Sequence, residues 1–542
     1  MRGYTMKDKL IVRHSSIVIN DYNLGDCEKL EKQLSIWDPV YYTARPFGYH
    51  YDENNKQLYL PRGLDIYYLE KLFDTKATMD YVCDEYKYTN NPIMIKYMPR
   101  DNVQKEALRF LLGKGEYSSM SRKSQQSLNL NTGKGKTYCS IATIAYCNIK
   151  SAIITYSISW LNQWKKCFYE YTDLPNNSVK IVNSSAIISK FLSDPSSADK
   201  NDVFLFTHST LKSYGDEHGW DKISELFKVL GIGLKFYDEC HLNFTNMCMV
   251  DFYTNTYKTY YVSASPARSD ADENRIYKLY FKNVPAIELF DAENDPHTSY
   301  VSIRYDSQPT PFQKSRCRNK YGLSTVAYCD YVVKQPNFLK MMDILMDMCF
   351  KVKGKCLFYF ATNKGIEVIY DWMIKYYPET INDIGIFSSL SGENKKDSLD
   401  KKFILSTIKS AGAAVDIKGL SMVIIAASPF KSEVTMQQVL GRTRDDNTIC
   451  IELLDVAFNQ IIRWYYHKKN VIEKYALDVS SSKFSNSELD YTAINILEQR
   501  YYNHRKACIM QQNHQPIKVV SRIPKGQKFK VVSTNRRPYL DR

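Results

Sequence analysis

The sequence predicts an α/β chain: two parallel-sheet halves in tandem, with a small α+β module in front and a basic extension behind. Three observations carry that reading. From about residue 99, short apolar runs alternate with helical stretches, the pattern of a doubly wound parallel sheet. The alternation pauses near Pro285–Pro311 and then starts again. Cations crowd the far end: from Tyr501 onward ten Lys and Arg residues face a single acid, Asp541, a net of +9 in a chain of formal net charge +14.

Bulk properties set the frame. A chain of 542 residues, 44% apolar, can bury cores for three or four domains. Glycine and proline are scarce, which argues against long disordered tracts. No uninterrupted apolar window reaches membrane-spanning length, and "MRGYTMKDKLIVRH" has no apolar run of signal-peptide size. The expectation is a soluble, cytoplasmic protein, in the host cytoplasm if the source is viral. Thirteen cysteines without one C-x-x-C pair point to reduced thiols used as small core residues. Cys240 stands beside His241, but Cys248 is too distant for zinc-ligand spacing.

Residues 1–92 are expected to form the front module. "KLIVRH" and "SSIVIN" read as strands and "CEKLEKQLSIW" as a helix. "YHYDENNKQLYLPRG" reads as a hairpin turning at Asn54-Asn55. Residues 93–285 form the first half, with strands in "SAIITY", "DVFLF", "LKFYD" and "KTYYVSAS" and a helix in "SWLNQWKKCFYEY". Residues 286–460 form the second, through "GKCLFYFA", "NKGIEVIYDWMIKYY", "DIGIF", "KKFILST", "LSMVIIAAS" and "NTICIELLD". Residues 461–542 hold the end of a helix, "VAFNQIIRWYYHKKNVIEKY", a serine-rich linker at Ser480–Ser487 and the basic tail. Such a tail suits a polyanion, most often nucleic acid; a solvated terminus is the alternative.

Three stretches carry chemistry. In "LNTGKGKT" (130–137), Gly133 and Gly135 let backbone N–H groups turn toward phosphate oxygens. Lys136 would reach the β/γ-phosphates and the Thr137 hydroxyl would bind Mg²⁺, just before a helix N-terminus. Leu130 occupies the first glycine position of the full G-x-x-x-x-G-K-[ST] pattern. "LKFYDE" ends a buried strand on two carboxylates: Asp238 to hold the metal and Glu239 to polarise a water. The competing reading makes Asp238 the N-cap of the next helix. "QQVLGRTRDD" brings Gln438, Gly441, Arg442 and Arg444 into the second half, where an arginine could meet the charge of a phosphoryl-transfer transition state once the halves close.

These stretches, in this order, resemble a superfamily 2 helicase or translocase of the DExH type over about residues 95–460. The resemblance implies two RecA-like domains, ATP and Mg²⁺ as cofactors, and nucleic acid as partner, with DNA favoured over RNA and a monomer favoured. It makes "PRDNVQKEAL" the adenine-reading segment through Gln104, and Thr132, Gly133, Lys134, Gly135, Lys136 and Thr137 the phosphate loop. "ITYSISWLNQW" and "FTHSTL" would contact the nucleic-acid backbone. His241, Ser263 of "SASPAR" and Gln438 would couple the nucleotide to the strand, and Asp416 of "STIKSAGAAVDIKGL" would meet the ribose. Two departures stand out. Arg444 comes one residue early, with Asp445 in the usual arginine position, and Ala414 replaces the usual glycine before Asp416. The front module resembles that of phage UvsW-type helicases, which remodel branched DNA in recombination and repair, through its strand-helix-hairpin layout and "YLPRGL". An RNA helicase and a nucleic-acid-binding scaffold with an inactive ATP site are the alternatives.

Overall fold

The computed structural model describes residues 9–38, 42–80, 82–130, 134–263, 268, 271–291, 298–388, 397–411, 417, 419–440, 448–485, 488–489 and 517–522. Two compact units divide the chain, one running to Ala292 and taking in Pro516–Thr534, the other beginning at Glu293.

The first unit is built on a sheet whose seven parallel strands run, in order, Val179–Val182, Val203–Thr207, Ser151–Thr155, Leu234–Asp238, Lys258–Ser263, Gln125–Leu130 and Ala286–Asp291. Both faces are covered, which is why the strands read as continuous apolar runs. Ile153, Leu205, Phe236 and Tyr260 enter one core; their neighbours Ile154, Phe206, Tyr237 and Tyr261 enter the other. Parallel pairing needs a crossover between strands, supplied here by helices such as Lys136–Cys147, Ile158–Tyr171 and Phe244–Tyr253.

The front module is a five-stranded mixed sheet ordered His50–Asp52, Gln57–Pro61, Ser16–Ile19, Leu10–Val12, Ala77–Met79. The hairpin expected at Asn54-Asn55 is present. The expected helix is shorter than its sequence pattern: it covers Glu28–Gln33, and Ser35–Asp38 pairs antiparallel with Thr43–Pro46. The module shares the second core with the sheet behind it. Tyr59 stacks on Tyr253 at 4.8 Å, Phe47 meets Phe244 at 5.4 Å, and Ser124 Oγ donates to the His14 carbonyl at 2.8 Å. At Gly63 a Cβ would lie 2.0 Å from the Tyr280 carbonyl oxygen, so only glycine permits this approach of module to helix.

The second unit repeats the plan. Its seven parallel strands run Ile384–Phe387, Phe403–Thr407, Lys355–Phe360, Leu420–Ala427, Thr448–Asp455, Thr298–Tyr305 and Asp478–Ser485, and Glu488–Leu489 turns back antiparallel. Both units are therefore RecA-like. The core includes Leu357, Ile404, Ile424 and Ile451.

Three boundaries differ from expectation. The pause near Pro285–Pro311 conceals two strands: Ala286–Asp291 closes the first sheet and Thr298–Tyr305 opens the second. The first half thus extends past residue 285. The second extends past residue 460, because helix Asn459–Tyr475 and strand Asp478–Ser485 complete its sheet. The stretch expected as a linker, Ser480–Ser487, is mostly this strand. A sheet edge with one solvated face tolerates serine at alternate positions, and turn-prone composition concealed the pairing. Of the basic tail only Ile517–Arg522 is described; it pairs antiparallel with Ala286–Asp291. Among the described residues, no helix is long and apolar enough to cross a membrane.

Candidate functional site

The strand order brings the first two chemical stretches together. Gln125–Leu130 leads into the glycine loop, Leu234–Asp238 delivers the carboxylates, and Lys258–Ser263 lies between them. All three run parallel, with Asp238 opposite Val262 and Ser263 opposite Asn129, so their carboxyl ends meet at one edge. Ligands of open α/β sheets bind at such an edge.

Lys136 begins helix Lys136–Cys147, and its Nζ forms an ion pair with Glu239 Oε1; both side chains are nearly buried. Glu239 holds a left-handed backbone, φ 49°, unusual for a residue with a Cβ, and its carbonyl accepts from Leu242 N at 2.9 Å to close the turn. Strain of this kind aims the carboxylate back across the sheet edge. Asp238 Oδ2 accepts from Trp164 Nε1 at 2.8 Å. Burial, and then the neighbouring Glu239, push its carboxyl up to about 6. Asp238 is not a helix cap: the next helix starts at Phe244 with Asn243 in the capping position.

His241 and Ser263 form a second layer. His241 Nδ1 lies 2.9 Å from Ser263 Oγ, which donates to Glu239 Oε2 at 3.4 Å. A serine that gives its proton to Glu239 must accept from His241, which places the imidazole proton on Nδ1. Burial lowers the His241 pKa to about 4, so the ring is neutral near pH 7. A chain of hydrogen bonds therefore links the carboxylate turn to the neighbouring strand end.

Gln104 sits in the first turn of helix Asn102–Leu112, where its N–H donates to the Asp101 cap at 2.9 Å. Its Oε1 accepts from Arg100 N at 2.8 Å and its Nε2 donates to the Lys134 carbonyl at 3.4 Å. A Cβ on Gly135 would come 2.2 Å from Gln104 Nε2, and φ is +94° there, so glycine is required twice over. Gly135 is also the N-cap, and no side chain among the described residues caps the helix it opens. Helix N–H groups uncapped among the described residues, a lysine paired with a carboxylate, and the half-buried Thr137 suit an anion with its divalent cation. One half-buried carboxylate and a hydroxyl match Mg²⁺, which takes few protein ligands and shares phosphate oxygens.

Several expected residues fall outside the described set: Thr132, Gly133, Asp416, Gly441, Arg442 and Arg444. Gln438 is described, half-buried on helix Glu433–Leu440 of the second unit. Two residues at the site escaped the sequence reading. Trp164 ends "ITYSISWLNQW", a stretch expected to contact the nucleic-acid backbone, and nothing local marks its indole as the partner of Asp238. Arg268 closed "SASPAR" without a role. Its guanidinium donates to the His241 carbonyl, pairs with Glu273 at 2.6 Å, and lies 5.7 Å from the Phe47 ring of the front module. The module thus touches the carboxylate turn through one side chain.

His208, in "FTHSTL", is 1% exposed and stacks on Tyr237 at 5.7 Å. Neither of its ring nitrogens has a hydrogen-bond partner among the described residues. Burial lowers its pKa to about 3. The unfolded chain binds a proton below about pH 6.5 that the folded ring refuses, so stability falls as pH drops from there toward 3. Replacing His208 with Leu should remove about 2–3 kcal/mol of the stability lost between pH 7 and 4.5. Urea midpoints at the two pH values measure it, and equal pH slopes for variant and parent would count against it.

Comparisons with known proteins bear on the same region. Residues 97–266 match the family model described as Type III restriction enzyme, res subunit. No curated protein sequence matches the chain. Among solved structures, the crystal structure of T4 UvsW is similar at 14% identity and TM-score 0.32, covering 88% of this chain and 99% of its own. Dbp5 of S. cerevisiae, bound to RNA and ADP BeF3, is similar at 14% identity and TM-score 0.48, covering 74% of this chain and 93% of its own.

Proposed function

We propose that the chain, whose residues 97–266 match the Type III restriction enzyme res-subunit family model, is a superfamily 2 enzyme acting as an ATP-driven DNA helicase or translocase that remodels branched DNA. The observation that carries this reading is the Lys136–Glu239 ion pair at the shared edge of three parallel strands. Lysine and carboxylate neutralise each other until a triphosphate offers the lysine a stronger anion. Lys136 then moves to the β/γ-phosphates, and Glu239 is released to take a proton from water. The same event that binds the nucleotide arms the base. Asp238 and Thr137 would hold Mg²⁺, which would supply positive charge near the phosphates. Gln104, already bonded to the cradle backbone, is proposed to read adenine, since a carboxamide pairs with N6 and N7 together. Arg442 of the second domain is proposed to meet the developing negative charge, with Arg444 as a second catalytic arginine, Gln438 as a coupling residue and Asp416 at the ribose.

The hydrogen-bonded run Glu239–Ser263–His241 is the proposed route from nucleotide to strand. Preference for DNA is supported by the resemblance of the front module, and the cationic tail suits non-specific phosphate contact. ATP turnover measured with single-stranded DNA, forked DNA and the matching RNAs tests the proposal. Forked DNA should stimulate turnover most, by about tenfold or more, as an armed base responds to closure. Stronger stimulation by RNA would favour the RNA helicase, and no turnover at all would leave a binding scaffold.

A further inference from the structure

Between the first two elements of the second unit the chain inserts a compact, strongly basic hairpin. Helix Pro311–Arg316 opens it, and Arg318–Asn319 then pairs antiparallel with Gly322–Leu323. Lys320 and Tyr321 form the two-residue tip. Residues 307–329 contain Lys314, Arg316, Arg318 and Lys320 but no acid.

The scaffold is rigid. Thr310 and Gln313 close a reciprocal capping box at the helix start. Cys317 is 1% exposed, and its carbonyl accepts from Ser324 N at 2.8 Å. Gln460 Oε1, on helix Asn459–Tyr475, accepts from Leu323 N at 2.8 Å. Gly322, at φ +114°, leaves room for that glutamine, because a Cβ there would lie 2.6 Å from Gln460 Oε1.

This scaffold holds two rings outward beside its cations. Tyr321 is 57% exposed at the tip and Phe312 is 69% exposed on the flank. Lys320 Nζ lies 5.0 Å from the Tyr321 ring and the Arg316 guanidinium 5.6 Å from that of Phe312. Exposed rings alone are ordinary; here each lies beside a cation on an acid-free hairpin. Cations interleaved with exposed rings are the chemistry that grips phosphates and stacks on bases. The absence of acids from residues 307–329 favours a polyanion.

We propose that the hairpin 310–324 binds the end of a nucleic-acid duplex where it opens into single strands, with Arg316, Arg318 and Lys320 on the backbone phosphates and Tyr321 stacked on the terminal base pair. The assignment rests on the helicase reading and adds a site to it. The strand preceding the hairpin, Thr298–Tyr305, is parallel to its neighbours, so the hairpin leaves from the carboxyl edge of its sheet, the edge at which ligand-binding loops gather.

The test uses the full chain and fluorescence anisotropy with DNA and RNA forks and single strands of equal length. Tyr321→Ala should weaken fork binding by about five- to a hundredfold, as expected for loss of one stacked base, and weaken single-strand binding much less. Tyr321→Phe should restore it, and a merely structural ring would show no such difference between fork and single strand. The double variant Arg318→Glu, Lys320→Glu should lower the slope of log affinity against log salt by about 2, the value for two lost phosphate contacts. Fork affinities and salt slopes equal to the parent's, in a chain whose ATPase responds to nucleic acid, overturn the hairpin assignment alone. A parent chain that binds neither DNA nor RNA overturns this site and the helicase reading together. Whether the DNA or the RNA fork loses more upon Tyr321→Ala identifies the source of the duplex.

Discussion

A Glu239→Gln chain should bind ATP at least as tightly as the parent yet turn it over about a hundred- to ten-thousandfold more slowly, the range expected for loss of a positioned base. Both halves follow from one contact. Glu239 is the partner of Lys136, so the charged parent must break an ion pair to admit phosphate. Glutamine keeps the shape and can still accept from Ser263, but it neither neutralises the lysine nor takes a proton. Binding rises or holds while chemistry stops. Lys136→Ala makes the contrasting case, since it removes the phosphate ligand and should cost affinity as well as turnover. Calorimetric titration with ATP beside single-turnover hydrolysis separates the two. Normal turnover by Glu239→Gln would remove Glu239 from the role of base.

The second large effect lies in the core beneath the site. Lys235 and Asp251 form a fully buried ion pair at 2.6 Å. The Asp251 carboxylate also accepts from the hydroxyls of Tyr237, Tyr261 and Tyr280 at 2.8, 2.5 and 2.6 Å, and Lys235 donates to Thr254 Oγ1 at 2.6 Å. Tyr237 and Lys235 belong to the strand that ends in Asp238, so this cluster anchors the strand bearing the carboxylates. Asp251→Ala leaves an ammonium in the core with its counter-charge gone, takes the carboxylate acceptor from the Tyr261 and Tyr280 hydroxyls, and leaves Tyr237 the Met247 carbonyl at 3.4 Å. It should cost about 3–5 kcal/mol. Lys235→Met combined with Asp251→Leu should recover most of that loss, because a buried pair replaced as a whole costs far less than one broken in half. The midpoint of the first urea transition, followed by tryptophan fluorescence, reports both. An unchanged midpoint for Asp251→Ala would show that the cluster does not hold the strand.

How much was legible without coordinates depended on the range of the interaction. "LKFYDE" declared both a buried strand and its acidic end, because the apolar run and the carboxylates are contiguous. The hairpin at Asn54-Asn55 was equally local. "CEKLEKQLSIW" misled at its end, since Ser35–Asp38 changes to a strand only by pairing with Thr43–Pro46. The serine-rich stretch after residue 478 became a strand for the same reason: Thr298–Tyr305, far away in sequence, offered it an edge. Trp164 beside Asp238 and Arg268 beneath the His241 carbonyl had no local signal at all.

The sequence by itself determined two repeated α/β halves, the glycine-lysine turn and the paired carboxylates, because each is set by the period of apolar residues or by a few neighbouring side chains. Only the tertiary structure decided that Lys136 and Glu239, 103 residues apart, share an ion pair, and that a front module buries its core against the helix behind the carboxylate turn. Periodicity tells a strand which face to bury; it cannot tell it which strand to lie beside, and that choice of neighbour is what gathers separate motifs into one site.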